Sequence, residues 1–427
     1  MAEYRRPQVA TIVERLREPP VRLLAIFGPR QSGKTTAVRQ ALETIRRGWR
    51  IIAVEPGGTD WSSDEPGPFD TGATAERRAR RSSAPRDAEW LIEVWEQCRH
   101  RAKESPDGYV LVLDEIQELP NWSAVVKGLW DADRTSGCPL LVVILGSAPL
   151  SIQAGLNESL MGRFEPIVFP HWSFTEMATA FGFSLDEYIY YGGYPGATEH
   201  MSGHEEWHRY VRSGLVEPSI DRDVVSLTSI RKPALLRRLF EVGTRYSGQI
   251  LSYTKMLGQL QDAGNTTTLA SYLHLLSQVG LLAGLNKHVE RAVSAKASTP
   301  KLNVLNTGLM SMVSGYRIDE AQADRSLWGR LTESAVGAHL LNTMPSSGEV
   351  RYWRDRRGRS VVEVDFVVNR GPHLVGIEVK SGAARDALPG LDEFRRRFDA
   401  RTLVVGEGGV PLDEFLSVPA TEWIEES

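Results

Sequence analysis

Apolar residues in the first third of the chain come in short unbroken runs rather than in alternation. Residues 21–27, 50–54, 109–113 and 140–145 each read as a strand buried on both faces, and residues 34–47 carry a helical pattern. Such strands separated by helices predict βαβ units and a parallel sheet. Residues 55–86 are rich in Gly, Pro, Ser and Asp and have no periodic apolar face. They predict a mobile loop ending in the basic cluster Arg77, Arg78, Arg80 and Arg81. From 173 to about 246 the pattern turns helical, broken by Gly192-Gly193-Tyr194-Pro195-Gly196. Residues 252–285 then read as helix, turn at Ala263-Gly264-Asn265, helix and short strand, the order of a small winged helix-turn-helix. The remainder, from about residue 302, reads as helix, β-hairpin, helix and strand, and no internal repeat is present.

Composition narrows the class. A chain of 427 residues is too long for one ordinary domain, and 41% hydrophobic with 24% charged residues is globular material. The formal net charge of -4 excludes a protein that coats nucleic acid by bulk electrostatics, so any such contact needs a local patch. Cys98 and Cys138 show no CxxC spacing, which fits a reducing compartment and excludes a cysteine-rich zinc site. The first residues hold no apolar segment of a secretory signal, and the most apolar run, 139–145, is far too short to span a bilayer. The expectation is a cytoplasmic protein with no membrane partner.

Chemistry enters at Gly28, Pro29, Arg30, Gln31, Ser32, Gly33, Lys34 and Thr35, which match G-x-x-x-x-G-K-[ST] between a predicted strand and a predicted helix. Glycines let backbone N–H groups turn inward around a β-phosphate at a helix N-terminus, where the helix dipole also favours the anion. Lys34 reaches the β- and γ-phosphates and the Thr35 hydroxyl ligates Mg²⁺, so ATP with Mg²⁺ is the expected ligand pair. The strand 109–113 ends in Asp114 and Glu115. Asp114 would hold Mg²⁺ through water and Glu115 would polarise the attacking water, which moves the reading from binding towards hydrolysis. Ser147, after the apolar strand 140–145, is either a γ-phosphate sensor or a strand-end turn serine. Arg163 is either a cation for a neighbouring subunit's γ-phosphate or a surface arginine.

In the middle of the chain, the second helix of the expected winged motif, 266–277, contains no Lys or Arg. Phosphate contacts depend on such residues, so protein coupling is favoured there over DNA reading. Lys287 and Arg291 follow near the expected wing.

In the C-terminal part, residues 361–368 and 374–380 read as two strands of a hairpin. Pairing Val368 with His373 would set Asp365 opposite Gly376 and Glu363 opposite Glu378, placing Glu363, Asp365, Glu378 and Lys380 on one face. Three carboxylates there repel unless a cation or ammonium neutralises them, and hard oxygen ligands suit Mg²⁺ or Mn²⁺. Lys380 would assist a water or steady a phosphate. Arg351, Arg354, Arg356, Arg357 and Arg359, with Tyr352 and Trp353, form a basic and aromatic segment beside this site, either a nucleic-acid backbone contact or a charged turn.

With these residues in place, the chain resembles the bacterial and archaeal AAA+-type P-loop ATP-binding proteins that carry a C-terminal domain of unknown function. The resemblance rests on the P-loop through Thr36, on 113–117, Gly146-Ser147, Gly162-Arg163-Phe164, 192–195, Tyr352-Trp353-Arg354, Glu363-Val364-Asp365-Phe366 and 377–381, in family order over nearly the whole chain. It implies a AAA+-like α/β core, a sensor role for Ser147 and an arginine finger at Arg163, and hence a homo-oligomer. It also implies a restriction-endonuclease-like domain of the PD-(D/E)xK type, with Asp365, Glu378 and Lys380 as its signature and Glu333 as the upstream acidic residue of a second Mg²⁺ or Mn²⁺ site. The expected organisation is a P-loop core at 1–172, a helical lid at 173–246, a winged helix at 247–300 and a nuclease-like α/β domain at 301–427. The function expected is an ATP-driven switch coupled to nucleic-acid processing. The alternative is a non-catalytic regulator whose C-terminal domain only binds nucleic acid or a protein partner.

Overall fold

The computed structural model describes residues 4–55, 58, 60–63, 86–147, 152, 155–156, 159–225, 230, 232–260, 265–289, 299–357, 360–382 and 388–425. The arginine cluster at 77–81, Arg291 and Arg359 lie outside the described residues. Two compact units are present, Met1–Phe169 and Pro170–Ser427.

The first unit is built on a six-stranded sheet. Its strands are β1 (Leu23–Phe27), β2 (Gly48–Ala53), β3 (Asp60–Ser62), β4 (Tyr109–Asp114), β5 (Leu140–Gly146) and β6 (Phe164–Val168), in the spatial order β3-β2-β4-β5-β1-β6. All neighbours pair in parallel except β2 with β3. The unbroken apolar runs have their cause here, since β1, β4 and β5 are buried along their whole length and feed two separate cores. Leu23, Ala25, Leu111, Leu113, Val142 and Ile144 pack on one side with the helices Ala88–Glu104 and Trp122–Ser136. Leu24, Ile26, Val110, Val112 and Val143 pack on the other with the helices Gln8–Arg17 and Lys34–Leu42.

Two expectations are corrected in this unit. The helix predicted over 34–47 stops at Leu42, because the chain must turn to begin β2 at Gly48. The segment 55–86, expected as loop throughout, contributes the edge strand β3, anchored by Arg50 donating to both carboxylate oxygens of Asp60 at 3.0 and 2.7 Å.

Asp133 holds the two helices on one face together. It is fully buried and accepts from Trp95 Nε1 at 2.7 Å and from Arg99 Nε at 2.5 Å. Asp133→Ala leaves the buried Trp95 Nε1–H without its acceptor while Arg99 keeps Glu96 and the Leu129 carbonyl, and the expected loss of stability is about 2 kcal/mol. Urea denaturation of the full chain checks this, and an unchanged midpoint would contradict it.

The second unit begins with helices including Phe174–Phe181 and Leu185–Tyr191. The helices Pro233–Arg245, Tyr253–Gln259 and Thr266–Gln278 follow, and then the antiparallel pair β7 (Leu282–Leu285) and β8 (Lys301–Val304). The partner strand of β7 therefore lies just past residue 300. After the helix Arg325–Thr343 come β9 (Gly348–Arg357), β10 (Ser360–Arg370), β11 (His373–Lys380), the helix Pro389–Phe398 and β12 (Arg401–Gly406), in the order β12-β11-β10-β9. Only β11 and β12 pair in parallel, with the helix as their connection.

The β10–β11 register differs from expectation by two residues. Val368 faces Val375 and Arg370 faces His373, closing a two-residue turn with Gly371 first, at φ +58°. Glycine is favoured there because a side chain strains at positive φ. The expected loop was too long because Asn369 and Arg370 continue the strand. A shift of two keeps the side-chain alternation, so the acidic residues stay neighbours. The basic and aromatic segment is also corrected. It is β9, and alternation along it turns Tyr352 into the fold while Trp353 enters the sheet core, each 2% exposed. Neither ring is available to stack on a base.

Candidate functional site

The P-loop closes the C-terminal end of β1. A Cβ at Gly28 would lie 2.0 Å from the Phe169 carbonyl oxygen, so only glycine lets the chain pass there. Gly33 takes φ +84° at the N-cap of the helix Lys34–Leu42, and Gln31 is also left-handed at φ +58°. Lys34 is 6% exposed, and its ammonium donates to the carbonyls of Gly28 at 3.0 Å and Pro29 at 2.9 Å and to Ser32 Oγ at 3.4 Å. The loop is thus wrapped around the cation that its phosphate ligand would meet.

The Mg²⁺ side is assembled from two elements. Thr35 Oγ1, in the first turn of the helix, donates to Asp114 Oδ2 at the end of β4 at 2.8 Å. Burial pushes the Asp114 carboxyl up to about 6, against the Thr35 hydrogen bond, which favours the ionised form. A hydroxyl and a carboxylate at this separation fit neighbouring positions around an octahedral Mg²⁺, with oxygen donors throughout.

Glu115, one residue on, adopts φ +53°, ψ +43°, a left-handed conformation that costs a non-glycine residue about 1 kcal/mol or more. The bend brings its Oε2 within 2.9 Å of Ser147 Oγ and 3.3 Å of Ser147 N–H, at the end of β5. Gln117 Nε2 donates to the same oxygen. Glu115, Ser147, Thr35 and Asp114 therefore meet at the ends of adjacent strands, next to the P-loop.

Arg163 sits elsewhere. It precedes β6, and its carbonyl accepts from the N–H of Leu23, the first residue of β1. It thus lies at the opposite end of that strand from Gly28, about 15 Å away for five residues. Its guanidinium pairs with Asp131 at 2.7 and 3.2 Å.

Two contributors escaped the sequence reading. Arg6 is 4% exposed, donates to the Ser32 carbonyl at 2.7 Å and lies over the Phe169 ring at 5.4 Å, so it braces the P-loop from outside. Gln117 was noticed only as part of a resembling stretch. A charged residue just before the helix Gln8–Arg17 gave no signal of its own.

A second constellation lies in the other unit. Lys301, at the start of β8, has a side chain only 1% exposed. Its Nζ is 2.6 Å from Glu333 Oε1, 3.2 Å from Asp365 Oδ1, 3.2 Å from the Asp365 carbonyl and 3.8 Å from Glu363 Oε1. Burial opposes its charge, but Asp365, Glu333 and Glu363 outweigh that and raise its pKa above the ordinary lysine value. Burial, then the Asp365 charge, pushes the Glu333 carboxyl up. The second oxygen of Asp365 accepts from the Val379 N–H at 2.9 Å, and Glu378 pairs with Lys380 at 2.6 Å. The structure therefore gathers Glu333, Asp365, Glu378 and Lys380 as the sequence predicted, and adds Lys301.

As a divalent-ion site, this arrangement does not fit. Among the described residues no group of three or more acidic, histidine or cysteine side chains is disposed to hold a metal ion. Here an ammonium already lies against two of the three expected ligands, Glu333 and Asp365. A doubly charged ion about 4 Å from that ammonium would meet a repulsion of about 8 kcal/mol at an effective dielectric of about 20. No motif in the sequence singled out Lys301, which opens the short strand Lys301–Val304.

Comparison with known proteins gives three successive family matches. Residues 21–178 match a family model described as AAA domain. Residues 182–320 and 328–422 match two families described only as domains of unknown function, DUF8612 and DUF4143. No curated protein matches the chain. Among solved structures it is similar to the Walker-type ATPase PABY2304 of Pyrococcus abyssi, at 14% identity and TM-score 0.44, covering 74% of this chain and 98% of that one. It is also similar to the Aeropyrum pernix ORC1 protein in complex with DNA, at 12% identity and TM-score 0.25, covering 72% and 92%. The Thermotoga maritima RuvB Holliday junction branch migration motor is a third, at 13% identity and TM-score 0.29, covering 65% and 87%. No helix among the described residues is long and apolar enough to cross a membrane. The N-terminal part of this chain is a P-loop ATPase-like domain of the AAA type, a class that uses ATP and Mg²⁺.

Proposed function

We propose that this protein is an ATP-hydrolysing switch of the AAA+ kind, in which the nucleotide state of the N-terminal unit governs how the rest of the chain engages a protein partner. The observation that carries the reading is the convergence beside the P-loop. Thr35 and Asp114 lie 2.8 Å apart as neighbouring Mg²⁺ ligands, and Glu115 is held by Ser147 at 2.9 Å, where a carboxylate can accept a proton from water. Lys34 neutralises the β- and γ-phosphates, and Ser147 ties the position of Glu115 to the state of the site.

Arg163 acts on a second copy of the chain. It lies at the far end of β1 from its own P-loop, so it serves only a site brought to that edge by a neighbouring subunit. Arg163→Ala is expected to lower hydrolysis while leaving ATP affinity intact. Mixing it with Glu115→Gln protein restores part of the turnover, since each supplies the half the other lacks. No recovery in the mixture, or full activity in a strict monomer, would rule out action between subunits.

Within the second unit we assign residues 173–246 as lid, 247–304 (through β8) as a winged module, and 305–427 as a restriction-endonuclease-like fold used for binding rather than cleavage. A protein partner is favoured over nucleic acid. The positions of the helix Thr266–Gln278 that stay exposed, among them Thr266, Thr267, Ser271 and His274, include no lysine or arginine. The rings of Tyr352 and Trp353 are buried. The first leaves that helix without the cations a phosphate backbone requires, and the second leaves β9 without rings to stack on bases.

A further inference from the structure

We propose that the ammonium of Lys301 is the resident cation of the C-terminal carboxylate cluster, standing where a nuclease of this architecture would hold its divalent ion. The inference deepens the reading of this unit as a binding module and names the residue that makes it one.

The geometry is that of a coordinated ion. Lys301 comes from β8, whereas its anionic partners come from the helix Arg325–Thr343 (Glu333) and from β10 (Glu363 and Asp365). Lys301 Nζ donates to Asp365 Oδ1 and to the Asp365 carbonyl oxygen, both at 3.2 Å, and forms an ion pair with Glu333 Oε1 at 2.6 Å, so the ammonium faces two carboxylates and a carbonyl. The Phe366 ring, 5.1 Å away, adds the face of an aromatic to the cation's surroundings. A side chain 1% exposed with this set of partners is not a surface lysine resting on an acidic patch. Burying a lysine is costly unless it is paired and hydrogen-bonded, and here both conditions hold.

The charges explain why the arrangement persists. Glu333, Glu363, Asp365 and Glu378 gather four carboxylates, and the groups facing them are Lys301, Lys380 and Arg354, whose Nε lies 3.8 Å from Glu363. Without Lys301, the carboxylates of Glu333 and Asp365 would share a buried site with no cation between them. With it, both carboxylates share one cation, and the strand pair β7–β8 is tied to the helix and sheet that follow. A metal would have to displace a side chain anchored in a strand.

The test is a Mn²⁺ titration of the full-length, nucleotide-free protein, followed by the electron paramagnetic resonance signal of free Mn²⁺. The parent protein is expected to take up no Mn²⁺ that depends on Asp365, so that Asp365→Asn leaves its titration unchanged. Lys301→Met is expected to acquire one Mn²⁺ per chain, bound at least tenfold more tightly than by the parent and lost again in Lys301→Met/Asp365→Asn. Lys301→Arg, which keeps the charge, is expected to acquire none. If Lys301→Met does not fold, Lys301→Met/Glu333→Gln removes one charge of each sign and is expected to bind Mn²⁺ through Glu363, Asp365 and Glu378. Uptake by the parent that Asp365→Asn abolishes would overturn the proposal, and so would a folded lysine-free variant that binds no more Mn²⁺ than the parent. Failure of the module reading is read separately, as cleavage of DNA or RNA by the parent protein.

Discussion

Lys34→Ala is expected to weaken ATP binding by on the order of 10²-fold or more. The ammonium of Lys34 is buried inside the P-loop, where it donates to two carbonyls and a hydroxyl. When phosphate enters, those donors turn to charged oxygens, and hydrogen bonds to charged groups contribute about 1.5–3 kcal/mol each. Losing even one or two of them amounts to about 3 kcal/mol, or two decades in affinity. Alanine also removes the cation that the Gly28 and Pro29 carbonyls surround, so the empty loop loses its internal partner. Equilibrium binding of a fluorescent ATP analogue checks this, with circular dichroism to confirm folding. Parent-like affinity in a folded variant would remove the phosphate role of the loop.

Glu115→Gln is expected to separate binding from turnover. The amide retains the shape of the carboxylate and can still meet the Ser147 hydroxyl, but it cannot accept a proton from the attacking water. ATP affinity should stay within about twofold, while hydrolysis falls by ~10²-fold, the lower end for loss of a general base. The left-handed backbone at residue 115 supports the assignment, because a strained conformation persists where the surroundings over-determine it. If phosphate release is unchanged, Glu115 is not the base.

How far the sequence carried the fold depended on burial. Residues 109–113 and 140–145 were legible as strands because both their faces are covered, so every position had to be apolar. The three-residue β3 was not legible, since an edge strand of Asp60, Trp61 and Ser62 leaves no periodic pattern to read. The end of the helix at Leu42 was missed because residues 43–47 carry no breaker, and it is the pairing of β2 with β4 that stops it. At the ATP site, the P-loop, Asp114 and Glu115 were readable because the chemistry needs fixed residue types at fixed spacing in a fixed context. Arg6 was not, because it acts on the Ser32 carbonyl from 26 residues away and carries no motif of its own. Lys301 was invisible for the same reason. A sheet face can be inferred from alternation within one hairpin, but the lysine reaches that face from β8, 64 residues before Asp365. The acidic cluster therefore looked like a metal site as long as only its own strands were considered.

Arg163 shows the converse. Its position next to β6 placed it far from its own phosphates, and its pairing with Asp131 leaves it held at the surface of the unit. Its own P-loop is out of reach, so the finger role proposed for it would need a second copy.

The measurement that bears most directly on the account is phosphate release from ATP by the purified full-length protein with Mg²⁺, followed across protein concentration. The account predicts turnover that requires Mg²⁺, rises per chain as copies associate, and is lost in both Lys34→Ala and Glu115→Gln, with ATP still bound only in the second. Tight ATP binding with no phosphate release at any concentration of the parent protein would contradict it.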